Sequence, residues 1–129
     1  MTRRADVRET VELALATFID AFNQLDRARM DACFIDDPPV FLPWGGHRLV
    51  GFWDDRFDDW RAESNGPPYL DIQPKDLSIQ HFGDAAVATF HLEHDSDTLA
   101  RRTIVLCRTP AGWKIAHLHA STYPREGLG

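Results

Sequence analysis

The 129-residue chain is poor in the features that mark specialised proteins. It has two cysteines, Cys33 and Cys107, both in apolar surroundings and neither in a C-x-x-C pair, so there is no disulfide framework and no zinc-ribbon spacing. Two buried thiols in a reducing compartment are expected. No apolar run approaches the ~18 residues that a membrane-spanning helix needs. Met1-Thr2-Arg3-Arg4 is followed by Asp6, Arg8, Glu9 and Glu12 rather than by the apolar centre of an export signal, and a cytoplasmic location is expected. Positive charge is also scarce: 14 basic residues face 20 acidic ones, for a net charge of -6. The basic runs, Arg3-Arg4 and Arg101-Arg102, are only two residues long, which argues against nucleic acid or an anionic membrane as partner. There is no G-x-G-x-x-G, P-loop, G-x-S-x-G or H-E-x-x-H motif, so the usual nucleotide, nucleophile and zinc-protease templates fail and no cofactor is expected.

What the chain does have is periodicity. Val7, Val11, Leu15, Phe18, Phe22 and Leu25 recur at steps of three and four, which puts them on one face of a long helix. Asp26 is placed to cap a second, short helix carrying Met30, Cys33 and Phe34, and Asp36-Asp37-Pro38-Pro39 stops it. A strand over Val40–Trp44, a turn at Gly45-Gly46 and a return strand over His47–Val50 follow. A third helix is expected to open at Gly51, with Phe52, Trp53, Phe57 and Trp60 inward and Asp54, Asp55, Asp58 and Asp59 in water. Strands are expected near Tyr69–Gln80, Ala85–His94, Thr98–Thr109 and Trp113–Thr122. Turn signals at Phe82-Gly83-Asp84, Asp95-Ser96-Asp97 and Pro110-Ala111-Gly112 make an antiparallel meander of them. Helices first and strands last imply an α+β domain, with helices packed on one face of a curved sheet.

Several segments in this order resemble the nuclear transport factor 2-like superfamily, and its SnoaL-like branch in particular. They are Phe22-Asn23 through Asp26, Phe34-Ile35-Asp36-Asp37 before Val40-Phe41, Gly51-Phe52-Trp53, Gly83-Asp84-Ala85-Ala86-Val87, and Gly112-Trp113-Lys114-Ile115 running on to His117-Leu118-His119-Ala120-Ser121. The last is also similar to the association domain of calcium/calmodulin-dependent kinase II. The resemblance spans about residues 7–122 of a single domain. It implies a cone-shaped, curved antiparallel sheet packed against a long N-terminal helix and two shorter ones. Members of the superfamily include steroid isomerases, cyclases, dehydratases and pure assembly modules, so the fold leaves the function open.

Carried over residue by residue, the isomerase machinery is missing. Its helix-one tyrosine falls on Phe18, its strand-one base on Leu42 beside Pro43, and its late acid near Ile104, all of them apolar. Such side chains can line a pocket but cannot move a proton. Phe22, Trp44 and Trp53 are further candidates for the wall or mouth of a concave, apolar site.

On the strand after Gly83, Ala86, Ala88, Phe90 and Leu92 alternate with Val87, Thr89, His91 and Glu93. The polar face meets either solvent or a dimer seam, or else turns into the cone. The association-domain resemblance favours the cone for Thr89, which makes His91 and Glu93 the candidate acid–base pair. By the same resemblance Leu118 and Ala120 line the cavity, while His117 and His119, sharing a face with Trp113 and Ile115, point to a partner sheet in a homodimer. His117 and His119 have the spacing of a metal pair but need a third ligand such as His91 or Glu93, and no metal site is expected. Two functions stay open: a pocket protein for a small apolar molecule, with isomerase-, cyclase- or hydratase-type chemistry, and a non-catalytic binding or assembly module.

Overall fold

Val7, Val11, Leu15, Phe18 and Ala21 are buried along one side of helix α1 (Arg4–Asn23), as their spacing requires. The computed structural model describes residues 4–44, 47–93 and 98–124. Helix α2 (Arg27–Asp31) is capped by Asp26, whose Oδ1 accepts from the Arg29 amide at 3.2 Å, and it buries Met30. Cys33 lies just beyond this helix rather than inside it, and both cysteines are half-buried rather than sealed. Burial of the Cys33 thiol raises its pKa.

Strands β1 (Pro39–Phe41) and β2 (Leu49–Val50) form a short antiparallel pair. β1 is shorter than expected because the strand gives way before Pro43, which has no amide to donate. The Gly45-Gly46 turn, the Asp95-Ser96-Asp97 turn and the tail from residue 125 lie outside the described residues. Gly51, at φ +90°, makes a bend instead of opening a helix, and its amide donates to the Pro38 carbonyl at 2.8 Å. Helix α3 (Asp55–Glu63) starts four residues later, where the Asp54 carboxylate accepts from the Arg56 amide at 2.9 Å.

The other strands are β3 (Lys75–Phe82), β4 (Ala85–Glu93), β5 (Thr98–Thr109) and β6 (Gly112–Pro124). They complete a curved six-stranded sheet ordered β2-β1-β6-β5-β4-β3. Every pairing is antiparallel except β1 with β6, where Val40 lies opposite Leu118 and Phe41 opposite His119. β3 begins six residues later than the sequence pattern suggests. The segment before it is committed elsewhere: the Tyr69 and Leu70 amides donate to the Asn23 carbonyl at 2.8 and 3.2 Å, and the Ile72 amide donates to Asn23 Oδ1 at 2.8 Å. One asparagine at the end of α1 thus holds the incoming chain across the open end of the sheet.

A bulge in β6 sets which side chains face inward. Val105 pairs with His117 but Leu106 pairs with Ile115, leaving Ala116 as the extra residue. Ile115 is therefore buried on the same side as Leu118 and Ala120, while His117 and His119 point the other way. Strict alternation had placed Ile115 with the histidines, and the bulge overturns that.

The core lies between α1 and the inner sheet face, and is dominated by aromatic rings. Phe18, Phe22, Phe34, Phe52 and Phe57 pack with centroids 5.0–5.9 Å apart, mostly edge-on. Phe57 is fully buried and also touches the rings of Trp44, Trp53 and Trp60. Phe57→Ala is expected to lower the unfolding free energy by ~3–5 kcal/mol, read from urea denaturation. A loss below ~1 kcal/mol would show that these rings do not form one packed unit.

Candidate functional site

The aromatic core does not fill the space under the sheet. A cavity of about 570 Å³ remains between α1, α3 and the inner faces of β4, β5 and β6, within the ~300–1,000 Å³ of small-molecule sites. Phe18, Ile19 and Phe22 of α1 form one wall, and Phe52, Phe57 and Trp60 another. The sheet contributes Phe90, Leu92, Ile104, Leu118 and Ala120, and Leu42 joins them just past the end of β1. The chain held by Asn23 brings Leu70, Asp71, Ile72, Gln73 and Lys75 to its edge.

Of the residues singled out from the sequence, Phe18, Phe22, Leu42, Trp44, Ile104, Leu118 and Ala120 meet around this one cavity. The three positions that match the isomerase machinery (Phe18, Leu42 and Ile104) are therefore neighbours of the same hollow. Glu93, exposed at the end of β4, reaches the cavity lining.

Five candidates lie elsewhere. Thr89 is exposed on the outer face, where the register sets it opposite Thr103, itself opposite His119. His91 is two residues further along that face, with Nδ1 4.0 Å from Asp76 Oδ2. It does not line the cavity and is out of reach for acid–base work there. Trp53 packs against Phe57 but stays outside the cavity, donating from Nε1 to Asp58 Oδ2 at 3.2 Å beneath the Arg27 guanidinium. His117 and His119 are on the outer face beside the Phe41 ring, with centroids 6.2 and 5.2 Å away. Among the described residues no three His, Cys, Asp or Glu side chains are grouped to hold a metal ion.

Polar groups on two cavity-lining residues were not anticipated. The Trp44 indole N–H is buried and has no hydrogen-bond partner among the described residues, although the ring itself packs between Phe57, Trp60 and the Arg56 guanidinium. The other is Arg102. It occupies an inward position on β5, between the buried Ala100 and Ile104, opposite Phe90 on β4 and Ala120 on β6. Its Nη1 donates to the Arg101 carbonyl at 2.9 Å and the Ser121 carbonyl at 3.3 Å. Desolvation pulls its pKa from the ordinary arginine value down to about 10. The visible signal was parity: Arg102 falls in the apolar register of Ala100, Ile104 and Leu106, whereas Arg101 falls in the outer one.

These features define a cone-shaped pocket fold of the nuclear transport factor 2-like class. The chain belongs to the SnoaL-like domain family, whose profile matches residues 11–126. Among solved structures it is similar to a protein of unknown function from the DUF3225 family of Pectobacterium atrosepticum, with 25% identity, TM-score 0.71 and 93% of each chain covered. It is also similar to a proposed dehydratase of the NTF2-like family from Streptomyces avermitilis, with 22% identity, TM-score 0.72, and 89% of this chain and 94% of that one covered. A proposed ketosteroid isomerase from Shewanella frigidimarina shows 21% identity and TM-score 0.63, over 87% of this chain and 94% of that one. At 21–22% identity the last two likenesses concern the fold. No curated protein matches the sequence. No helix among the described residues is long and apolar enough to cross a membrane.

The depressed pKa of Arg102 has a stability consequence. The folded state binds this proton less tightly than the unfolded chain does. The penalty is therefore fully present below about pH 10 and fades as pH rises from there toward the unfolded value. At neutral pH it is on the order of 3 kcal/mol as an upper bound, and roughly 1–2 kcal/mol once solvent screening of the half-buried side chain is counted. Arg102→Met, which keeps the stem and removes the charge, is expected to raise the thermal midpoint by roughly 3–8 °C. A lower midpoint would mean that the charge stabilises the fold.

Proposed function

We propose that this protein binds a small, largely apolar molecule in the cavity beneath the sheet. The observation that carries this reading is a hollow of about 570 Å³ walled by Phe, Trp, Leu and Ile side chains, with few polar groups converging on it. Water gains little against such walls, so displacing it with an apolar ligand is favourable. The SnoaL-like fold includes isomerases and dehydratases, and one similar structure has been proposed for each activity. Chemistry of that kind in this chain would draw on Glu93 or Asp71, the carboxylates of the cavity lining, because Phe18, Leu42 and Ile104 offer no proton.

The neutral fluorophore N-phenyl-1-naphthylamine tests the reading. It is expected to bind saturably at one site per chain. Ala120→Phe, which fills the cavity from β6, should weaken binding at least tenfold while preserving the circular dichroism spectrum. His91→Ala, on the outer face, should change it less than twofold. Non-saturable uptake, or equal loss in both variants, would remove the cavity as the site.

We also propose that two copies associate through the outer sheet face. Half-buried Phe41, Val87, Val105 and His117 interrupt its polar residues with apolar surface there. Light scattering at micromolar concentration should give twice the 14.7 kDa chain mass. A monomer mass throughout would contradict this.

A further inference from the structure

We propose that the ligand is a ring-bearing carboxylate and that Arg102 anchors its carboxylate group. This rests on the small-molecule reading of the cavity and adds a chemical class to it. Both protein hydrogen bonds of the guanidinium leave from one nitrogen, Nη1, to the Arg101 and Ser121 carbonyls. They hold the plane of the group and leave Nε and Nη2 without a protein acceptor among the described residues. That free edge is the planar, two-donor fork that matches two carboxylate oxygens.

No protein carboxylate takes this place. The ion pairs among the described residues involve Arg8, Arg27, Arg29, His91 and Arg108, and none reaches Arg102. Of the two carboxylates that line the cavity, Asp71 accepts from Gln73 Nε2 at 2.9 and 3.0 Å and is exposed. Glu93 is exposed three register positions from Phe90, the residue opposite Arg102. Arg102 thus lines an apolar cavity while half-buried, and a partly desolvated charge of this kind gains from a counter-ion.

The stoichiometry of charge selects the ligand class. One guanidinium neutralises one negative charge. A phosphate dianion would set its second charge against Phe90, Ile104 and Leu118, because Lys75 is solvent-exposed at the cavity edge. A monocarboxylate leaves no such remainder. The aromatic walls from Phe22, Phe52, Phe57 and Trp60 suit a flat ring system.

The test compares 2-naphthoate with its neutral, near-isosteric amide, 2-naphthamide, by calorimetric titration at pH 7. N-phenyl-1-naphthylamine serves as a control for the cavity itself. The acid is expected to bind at least tenfold tighter than the amide. Arg102→Gln should remove that advantage while changing amide binding less than threefold. Arg102→Lys, which keeps the charge but not the fork, should retain only part of it, and this holds the test open if the glutamine variant does not fold. Equal affinity for acid and amide in the unaltered protein, with the neutral fluorophore still bound, would overturn the anchor alone. Failure of all three molecules to bind would overturn the cavity reading together with it.

Discussion

The register shared by β4, β5 and β6 is the constraint on which the site depends. Ladder hydrogen bonds lock Ala88 opposite Ile104 and Ile104 opposite Leu118, and in the same stroke lock Thr89 opposite Thr103 and Thr103 opposite His119. Side chains that meet across a sheet share a face, so no local adjustment can bring Thr89 into a cavity that Leu118 already lines. The apolar row faces α1 because only that side is covered by another layer. The polar row is left for water or a partner. The bulge at Ala116 then shifts the row by one residue within β6, which lets Ile115 seal one end of the core while Leu118 and Ala120 line the hollow.

Within that framework Arg102 is a local contradiction. An inward register position on β5 calls for an apolar side chain, and the flanking Ala100, Ile104 and Leu106 comply. A charge there is desolvated, with two backbone carbonyls as its partners among the described residues. Departures of this kind from local consistency concentrate at functional sites, where stability is given up for recognition. The Trp44 indole has the same character on a smaller scale: a buried donor that the described protein groups leave unanswered.

Much of the fold was readable from the chain, and the failures have identifiable causes. The 3–4 spacing of Val7 through Phe22 specified α1, and the clean alternation after Gly83 specified β4. β3 starts later than the pattern suggests because Tyr69, Leu70 and Ile72 give their amides to Asn23, a contact 49 residues away for Ile72 that no local pattern records. The start of α3 was misplaced because Asp54, rather than Gly51, supplies the cap. Around the site, Phe18, Leu42, Ile104 and Leu118 were legible from apolar character combined with a family resemblance. Thr89 and His91 face outward because they alternate with the buried Ala88, Phe90 and Leu92, a parity that outweighs the resemblance to one association domain. In the sequence Arg102 is half of a short basic pair, and only strand parity, which turns Arg101 and Arg102 to opposite sides, separates it from its neighbour.

The account joins a register-defined hollow to one desolvated cation, and both can be seen in a single experiment. A crystal structure of the protein grown with 2-naphthoate should show the rings lying between α1 and the inner faces of β5 and β6. The carboxylate oxygens should sit within about 3 Å of the Arg102 Nε and Nη2. Naphthoate bound only on the outer face, or a carboxylate turned away from Arg102, would contradict it.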